Sequence, residues 1–427
     1  MRKSRLVLVL VLVCVLVYLM VLKRHYDSHN ALPLRPPQPA PKAVLVPDWL
    51  VGSWGRIQFG IMFDAGSTGT RVHVFKFRLD QNQSFPQLLE ENFKSISPGL
   101  SAFAEDPLQC RVGLLQLLDL ARSIVPVQVH GSTPLFLKAT AGLRLLQEDQ
   151  AQRLLDQVRV LFRSSPFLSS DQNVSILDGA EEGVSAWLTV NFLLGAVGGA
   201  AASVGILDLG GGSTQVTFSP RSKFVESQTS DLQTLRLFSA TYRLYTHSYL
   251  GLGLMEARAA VLGRPSSAPG GALWLSPCLV PDSVGSWEHD HVLYSLRGQR
   301  SHTGSVFQAC SERVRSVLKD TVRPVEQQQT FYAFSYYYDR AEDIQALHGD
   351  KGGSVSVKDF SSAAQRVCEG QALKSDQSLF LCLDLVYISV LLQELGFSPD
   401  SELKLVRWIG SVETSWALGA TVTNMNF

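Results

Sequence analysis

Apolar and polar positions divide this chain into three stretches of different character. From Leu6 to Leu22 ("LVLVLVLVCVLVYLMVL") no charge interrupts the apolar run, and Arg2, Lys3 and Arg5 precede it while Lys23 and Arg24 follow. As a helix the run spans about 25 Å, less than the ~30 Å of an average hydrocarbon core, which suits the thinner membranes of the early secretory pathway. It ends in "VLKRHY", without the small residues of a signal-peptidase site. The pattern predicts an uncleaved signal anchor over 1–24. Residues 25–55, proline-dense from Ala31 to Pro47, predict a semi-rigid stalk holding the rest of the chain off the bilayer.

Beyond the stalk, strand-like apolar runs are broken by small polar residues. "IMFDAGSTGTRVHVFKF" reads as strand, glycine-rich turn, strand. "SVGILDLGGGSTQVTFSP" (Ser203–Pro220) has the same grammar, Asp64 answering Asp208 and Gly66 answering Gly210. One such turn is usually a plain hairpin; two with matching chemistry predict a duplicated architecture with a polyphosphate clamp. The glycines let backbone N–H groups converge, and Ser67, Thr68, Thr70, Ser213 and Thr214 add hydroxyls. An aspartate in each loop would repel phosphate unless a divalent cation lay between them. Oxygen-only donors point to Mg²⁺ or Ca²⁺, held partly through water. The GxxxxGK[ST] loop is absent, which excludes a Walker-type site.

Three further segments qualify the picture. "LKATAGLRLL" (Leu137–Leu146) places Thr140 and Arg144 at a small-residue turn, either an edge of the phosphate site or simply a strand running into a helix cap. "LDGAEEGVSAWLTVNFLL" predicts a helix opening at Gly179–Gly183. Glu181 and Glu182 would project about 100° apart on it, so only one can face a site. That one could act as a general base, although acidic residues in a first turn also compensate the helix dipole. "YAFSYYYDRA" (Tyr332–Ala341) offers Tyr336 or Tyr337 as a nucleobase platform, while the "HDH" at 289–291 reads as surface rather than metal site.

Length and charge narrow the function. At 427 residues the chain exceeds one ordinary core, and 38 basic residues balance 38 acidic ones, so no basic field marks a nucleic-acid partner. Cys14 lies in the anchor, leaving Cys110, Cys278, Cys310, Cys368 and Cys382, an odd number. Spacing leaves the connectivity open. Cys278–Cys310 and Cys368–Cys382 close short loops and are the economical pairing, with Cys110 free. Asn82 and Asn173 head N-x-S sequons.

"DAGSTGTR", "TAGLR", "GAEEGVSAW", "DLGGGSTQ" and "SWALG", in this order, resemble the five conserved regions of the ectonucleoside triphosphate diphosphohydrolases (apyrases), in particular their intracellular nucleoside diphosphatase branch. The resemblance implies an α/β, actin-like fold of two RNase H-like domains with the active site in the cleft. Domain I would cover 56–178, completed by 404–427, and domain II 179–403. It implies that Glu182 is the general base, that Ser213 and Gln215 position the attacking water, and that Asp64, Thr140, Asp208 and Trp416 surround Ca²⁺ or Mg²⁺, mostly through water. Ser67, Thr68, Gly69, Arg71, Arg144 and Gly212 fall on phosphate-binding positions. The expected reaction is hydrolysis of GDP, IDP or UDP to monophosphate and phosphate. The expected place is the secretory lumen, on a single-pass type II membrane protein of the Golgi or its neighbours, or in the medium after stalk cleavage. A sugar kinase of the same fold and an idle lumenal binding protein are the rival readings; oligomeric state is left open.

Overall fold

The computed structural model describes residues 51–427 except 53–54, 81–84, 199–201, 221–228, 264–272, 290–291, 301–303, 328, 348–351 and 372–377. The expected anchor and nearly all of the stalk, the Asn82 sequon and His291 therefore lie outside the described residues. Residues Trp49–Phe427 form one compact unit.

The first half is built on strands β1 (Gly55–Ala65), β2 (Thr70–Leu79), β3 (Gln87–Ile96), β4 (Leu135–Ala139) and β5 (Val174–Ile176). Its helices are α1 (Cys110–Ile124), the single turn α2 (Ala141–Arg144) and α3 (Glu148–Arg163). Helix α4 (Gly179–Leu193) leads to the second half. There the strands are β6 (Gly205–Leu209), β7 (Ser213–Phe218), β8 (Leu232–Leu237) and β9 (Ala240–Leu250), then β10 (Leu273–Ser276), β11 (Val284–His289) and β12 (Val292–Gly298). β13 (Phe331–Ser335), β14 (Gly353–Ser356), β15 (Glu402–Leu405) and the hairpin β16 (Trp408–Ile409) and β17 (Val412–Glu413) follow. Between and after them lie α5 (Leu254–Leu262), α6 (Val306–Leu318), α7 (Tyr336–Asp343), α8 (Val357–Cys368), α9 (Leu381–Glu394) and α10 (Ala417–Met425).

The duplication read from the two glycine loops extends to the sheets. One runs β3-β2-β1-β4-β5 and the other contains β9-β7-β6-β13-β15. In both, the first three strands are antiparallel and the last two join in parallel. β14 and β8 extend the edges of the second sheet, and β10, β12 and β11 form a separate small sheet. This is the actin-like arrangement of two RNase H-like halves.

Alternation explains why both sheets are buried on two faces. In β1, Ile61, Phe63 and Ala65 enter a core with α1 and α3, whereas Met62 turns to the opposite core with α4 and α10. That second core also receives Ile206 and Phe334 from the other sheet, so α4 and α10 are shared between the halves. A helix covered this completely should be apolar nearly all round, and in α4 every residue from Ser185 to Asn191 is buried. Gly419 permits the approach of α10, because a Cβ there would lie 2.0 Å from the Ser185 carbonyl oxygen. The remaining core packs α5, α6, α8 and α9 on the outer face of the second sheet.

Two disulfides fasten that outer layer, Cys278–Cys310 and Cys368–Cys382, while Cys110 is buried and free. Asn173 is half-buried and its Nδ2 donates to the Leu135 carbonyl at 3.0 Å.

Candidate active site

The two glycine loops meet across a cleft. Their equivalence is atomic: Gly66 N–H donates to the Gly69 carbonyl and Gly210 N–H to the Ser213 carbonyl, each at 3.0 Å. In the same frame Asp64 pairs across its hairpin with Arg71, and Asp208 with Gln215. The loops approach so closely that a Cβ on Gly211 would sit 2.5 Å from Ser67 Oγ. A side chain at 211 would have to displace the Ser67 hydroxyl. Gly66, Ser67 and Thr68 line one wall and Gly210, Gly211, Gly212 and Ser213 the other. Gly69 lies behind the wall, its carbonyl holding the turn.

Helix α4 supplies the acid. Asp178 caps it by accepting from Glu181 N at 2.8 Å, which fixes the phase of the first turn. Glu182 is thereby buried in the cleft and Glu181 is exposed, which decides between the adjacent pair. Glu182 Oε2 accepts from Arg144 Nη2 at 2.7 Å and from Gln215 Nε2 at 3.1 Å. Arg144 also donates to Ser213 Oγ at 3.0 Å, and Gln215 to Ser213 Oγ and Ser248 Oγ. Burial, with the like charges of Asp208 and Asp64 adding to it against Arg144, pushes the Glu182 carboxyl up to about 8. Burial likewise pushes Asp208 up to about 6, against a hydrogen bond from Ser335.

Asp64 and Asp208 are both nearly covered. Asp64 Oδ2 accepts from Arg71 Nη1 at 2.9 Å, while Oδ1 is buried without a hydrogen-bond partner. An orphaned carboxylate oxygen beside a second carboxylate is a donor set for a hard cation. Thr140 and Trp416 also line the cleft. Among the described residues no three His, Cys, Asp or Glu side chains gather into a direct metal cage.

Several sequence expectations change here. Arg71 lines the cleft with Nη1 bonded to Asp64, whereas Arg144 is bonded to Glu182 and Ser213 without lining it. Gln215, 1% exposed, does not line the cleft and acts through Glu182 and Ser213. Tyr337 is fully buried in the outer core and cannot stack on a base, whereas Tyr336 and Tyr338 line the cleft. His289 bonds Glu256 at 2.9 Å and stacks on Trp287, a packing role. The sequence reading missed Ser335, Asp339, Arg407 and Glu413, all on the cleft wall. Glu413 is anchored from behind: its N–H donates to Glu91 Oε2 at 2.7 Å, and Glu91 Oε1 bonds the wholly buried His73 at 2.7 Å.

Comparison with known proteins bears on this cleft. Residues 55–427 match the GDA1/CD39 (nucleoside phosphatase) family. The chain belongs to that family. As a member it is a phosphoanhydride hydrolase of the nucleoside phosphatase class. Among its relatives, ectonucleoside triphosphate diphosphohydrolase 6 of Homo sapiens is 50% identical over 371 residues, 85% of this chain and 76% of that one. Nucleoside diphosphate phosphatase ENTPD5 of Homo sapiens is 44% identical over 371 residues, 85% and 86% of the two chains. In structure, a nucleoside triphosphate hydrolase from Neospora caninum superposes with a TM-score of 0.61 at 15% identity, over 87% of this chain and 93% of its own. That likeness establishes the shared fold.

Proposed function

We propose that this chain is a divalent-cation-dependent nucleoside diphosphatase that cleaves GDP, IDP or UDP by direct attack of water, with Glu182 as general base. The observation carrying the reading is the convergence on one cleft of two loops with the same hydrogen-bonded turn and a buried carboxylate gripped by Arg144 and Gln215. The loop N–H groups and the hydroxyls of Ser67, Thr68 and Ser213 would hold the phosphates. Asp64, Thr140, Asp208 and Trp416 would hold Ca²⁺ or Mg²⁺, largely through water, and the cation would offset the charge of the phosphates. Both hydrogen bonds to Glu182 fall on Oε2, which leaves Oε1 to take a proton. As that proton moves to Glu182, the water oxygen bonds the terminal phosphorus, the bridging P–O bond breaks, and nucleoside monophosphate leaves. No serine nucleophile is needed, and Ser213 is bonded to Arg144 and Gln215 instead of a histidine.

The test is phosphate release from GDP, IDP, UDP, ADP and ATP side by side, in ¹⁸O-labelled water. The expected result is a diphosphate as best substrate and one labelled oxygen in the released phosphate. ATP turned over faster than every diphosphate would overturn the substrate class, unlabelled phosphate would overturn attack at the terminal phosphorus, and retention of configuration at a chiral terminal thiophosphate would overturn direct attack by water. For the cell, we propose a lumenal catalytic body on the 1–24 anchor of a Golgi or other secretory-pathway membrane, hydrolysing the diphosphates that glycosyl transfer leaves behind. Protease digestion of sealed microsomes tests this; a C-terminus digested without detergent would overturn it.

A further inference from the structure

We propose that Ser335 is a positioning residue of this cleft, its hydroxyl fixing the Asp208 carboxylate for the cation. The proposal rests on the divalent-cation reading given above. Ser335 ends β13 and precedes α7, with φ 57° and ψ −132°, a backbone region that side chains other than glycine's rarely occupy. A strained residue on a cleft wall calls for a compensating side-chain role, and here one is visible. Ser335 Oγ donates to Asp208 Oδ1 at 2.7 Å, the bond that parallel pairing of β13 with β6 brings within reach.

The duplication places this residue in context. In the first half, parallel strand β4 ends at Ala139 and delivers Thr140 to the cleft beside Asp64. In the second half, the corresponding strand β13 ends by delivering Ser335 beside Asp208. Each aspartate has one oxygen held by a side chain: Asp64 Oδ2 by Arg71, Asp208 Oδ1 by Ser335. The two holders differ in a way that matters. Arg71 neutralises its partner, whereas a hydroxyl orients Asp208 and leaves its charge intact. A second arginine would cancel the pair of carboxylates and with it the attraction for a dication.

Ser335→Ala removes the hydroxyl and keeps the backbone demand; Ser335→Gly removes the hydroxyl and relieves that demand. The probe is Mg²⁺ or Ca²⁺ titrated calorimetrically into the protein saturated with a non-hydrolysable GDP analogue, with thermal unfolding in chelator measured alongside. Both variants are expected to bind the cation about tenfold more weakly, although the Ser335→Gly protein unfolds at a higher temperature than the Ser335→Ala protein. Wild-type cation affinity in both variants, or affinity restored by glycine alone, would overturn the proposal. A wild-type protein that binds no cation in this titration would instead overturn the reading on which it rests.

Discussion

Replacing Glu182 by glutamine should make the protein sturdier while stopping its chemistry. Burial holds the Glu182 carboxyl near 8 where an unfolded chain would have about 4.5. The folded state therefore binds more protons than the unfolded one between those values, so this group's contribution to stability falls as pH rises through that window. At about 1.4 kcal/mol per unit, the penalty reaches about 3 kcal/mol at pH 7. Glutamine abolishes it, but leaves Arg144 facing an amide, with Ser213 Oγ and the Leu177 carbonyl as its other acceptors. That loss returns part of the gain, for a net of about 1 kcal/mol. The pH dependence is the cleaner signal, because the variant lacks the carboxyl that titrates between those values. From pH 5 to pH 7 the variant should gain roughly 2 to 3 kcal/mol on the wild type. With roughly 2 cal/mol/K of unfolding entropy for each of about 370 residues, the difference in Tm should widen by about 3 °C, measured in chelator. Turnover should drop by about 10² to 10⁴. A Tm difference independent of pH would refute the claim that burial raises the Glu182 carboxyl in the cation-free cleft, where a bound cation beside Asp64 and Asp208 would draw it back down to act as base, and undiminished turnover would refute that role.

Chelation should abolish phosphate release and Ca²⁺ or Mg²⁺ restore it, with Zn²⁺ alone restoring little; full activity in excess chelator would break the link to Asp64 and Asp208. Cys110, its thiol pushed up to about 11 by burial, should resist iodoacetamide until the protein is unfolded, while peptide mapping recovers the two disulfide-linked pairs. Labelling of Cys110 in the native protein would contradict its burial. Tyr336→Ala should raise KM for nucleotide several-fold, whereas Tyr337→Phe should leave KM unchanged, since the Tyr337 ring faces the core. An unchanged KM in Tyr336→Ala would show that the Tyr336 assignment is wrong.

What the sequence revealed and what it hid depend on how far information travels along a chain. The glycine loops were legible because each is a local hairpin whose spacing alone brings Asp64 opposite Arg71 and Asp208 opposite Gln215. The same register, read one step further, would have announced the Asp64–Arg71 ion pair. The phase of "SYYY" was not legible: it is set by the positive φ at Ser335, and a helix that turns 100° per residue sends Tyr337 inward and its neighbours to the cleft. Glu413 was hidden for another reason. It belongs to the site only because Glu91, 322 residues earlier, receives its N–H, and no local pattern encodes such a meeting.

The seating of α10 on α4 has a consequence for how the protein is made. Gly419 N–H donates to Thr189 Oγ1 across 230 residues of sequence, and the helix it covers carries Glu182. At about 5 to 20 residues per second, a ribosome delivers that cover roughly 10 to 50 s after α4 has emerged. Throughout that interval the apolar flank of α4 stands open to water or to a chaperone. The first half of the molecule can therefore be synthesised early, but it is closed late.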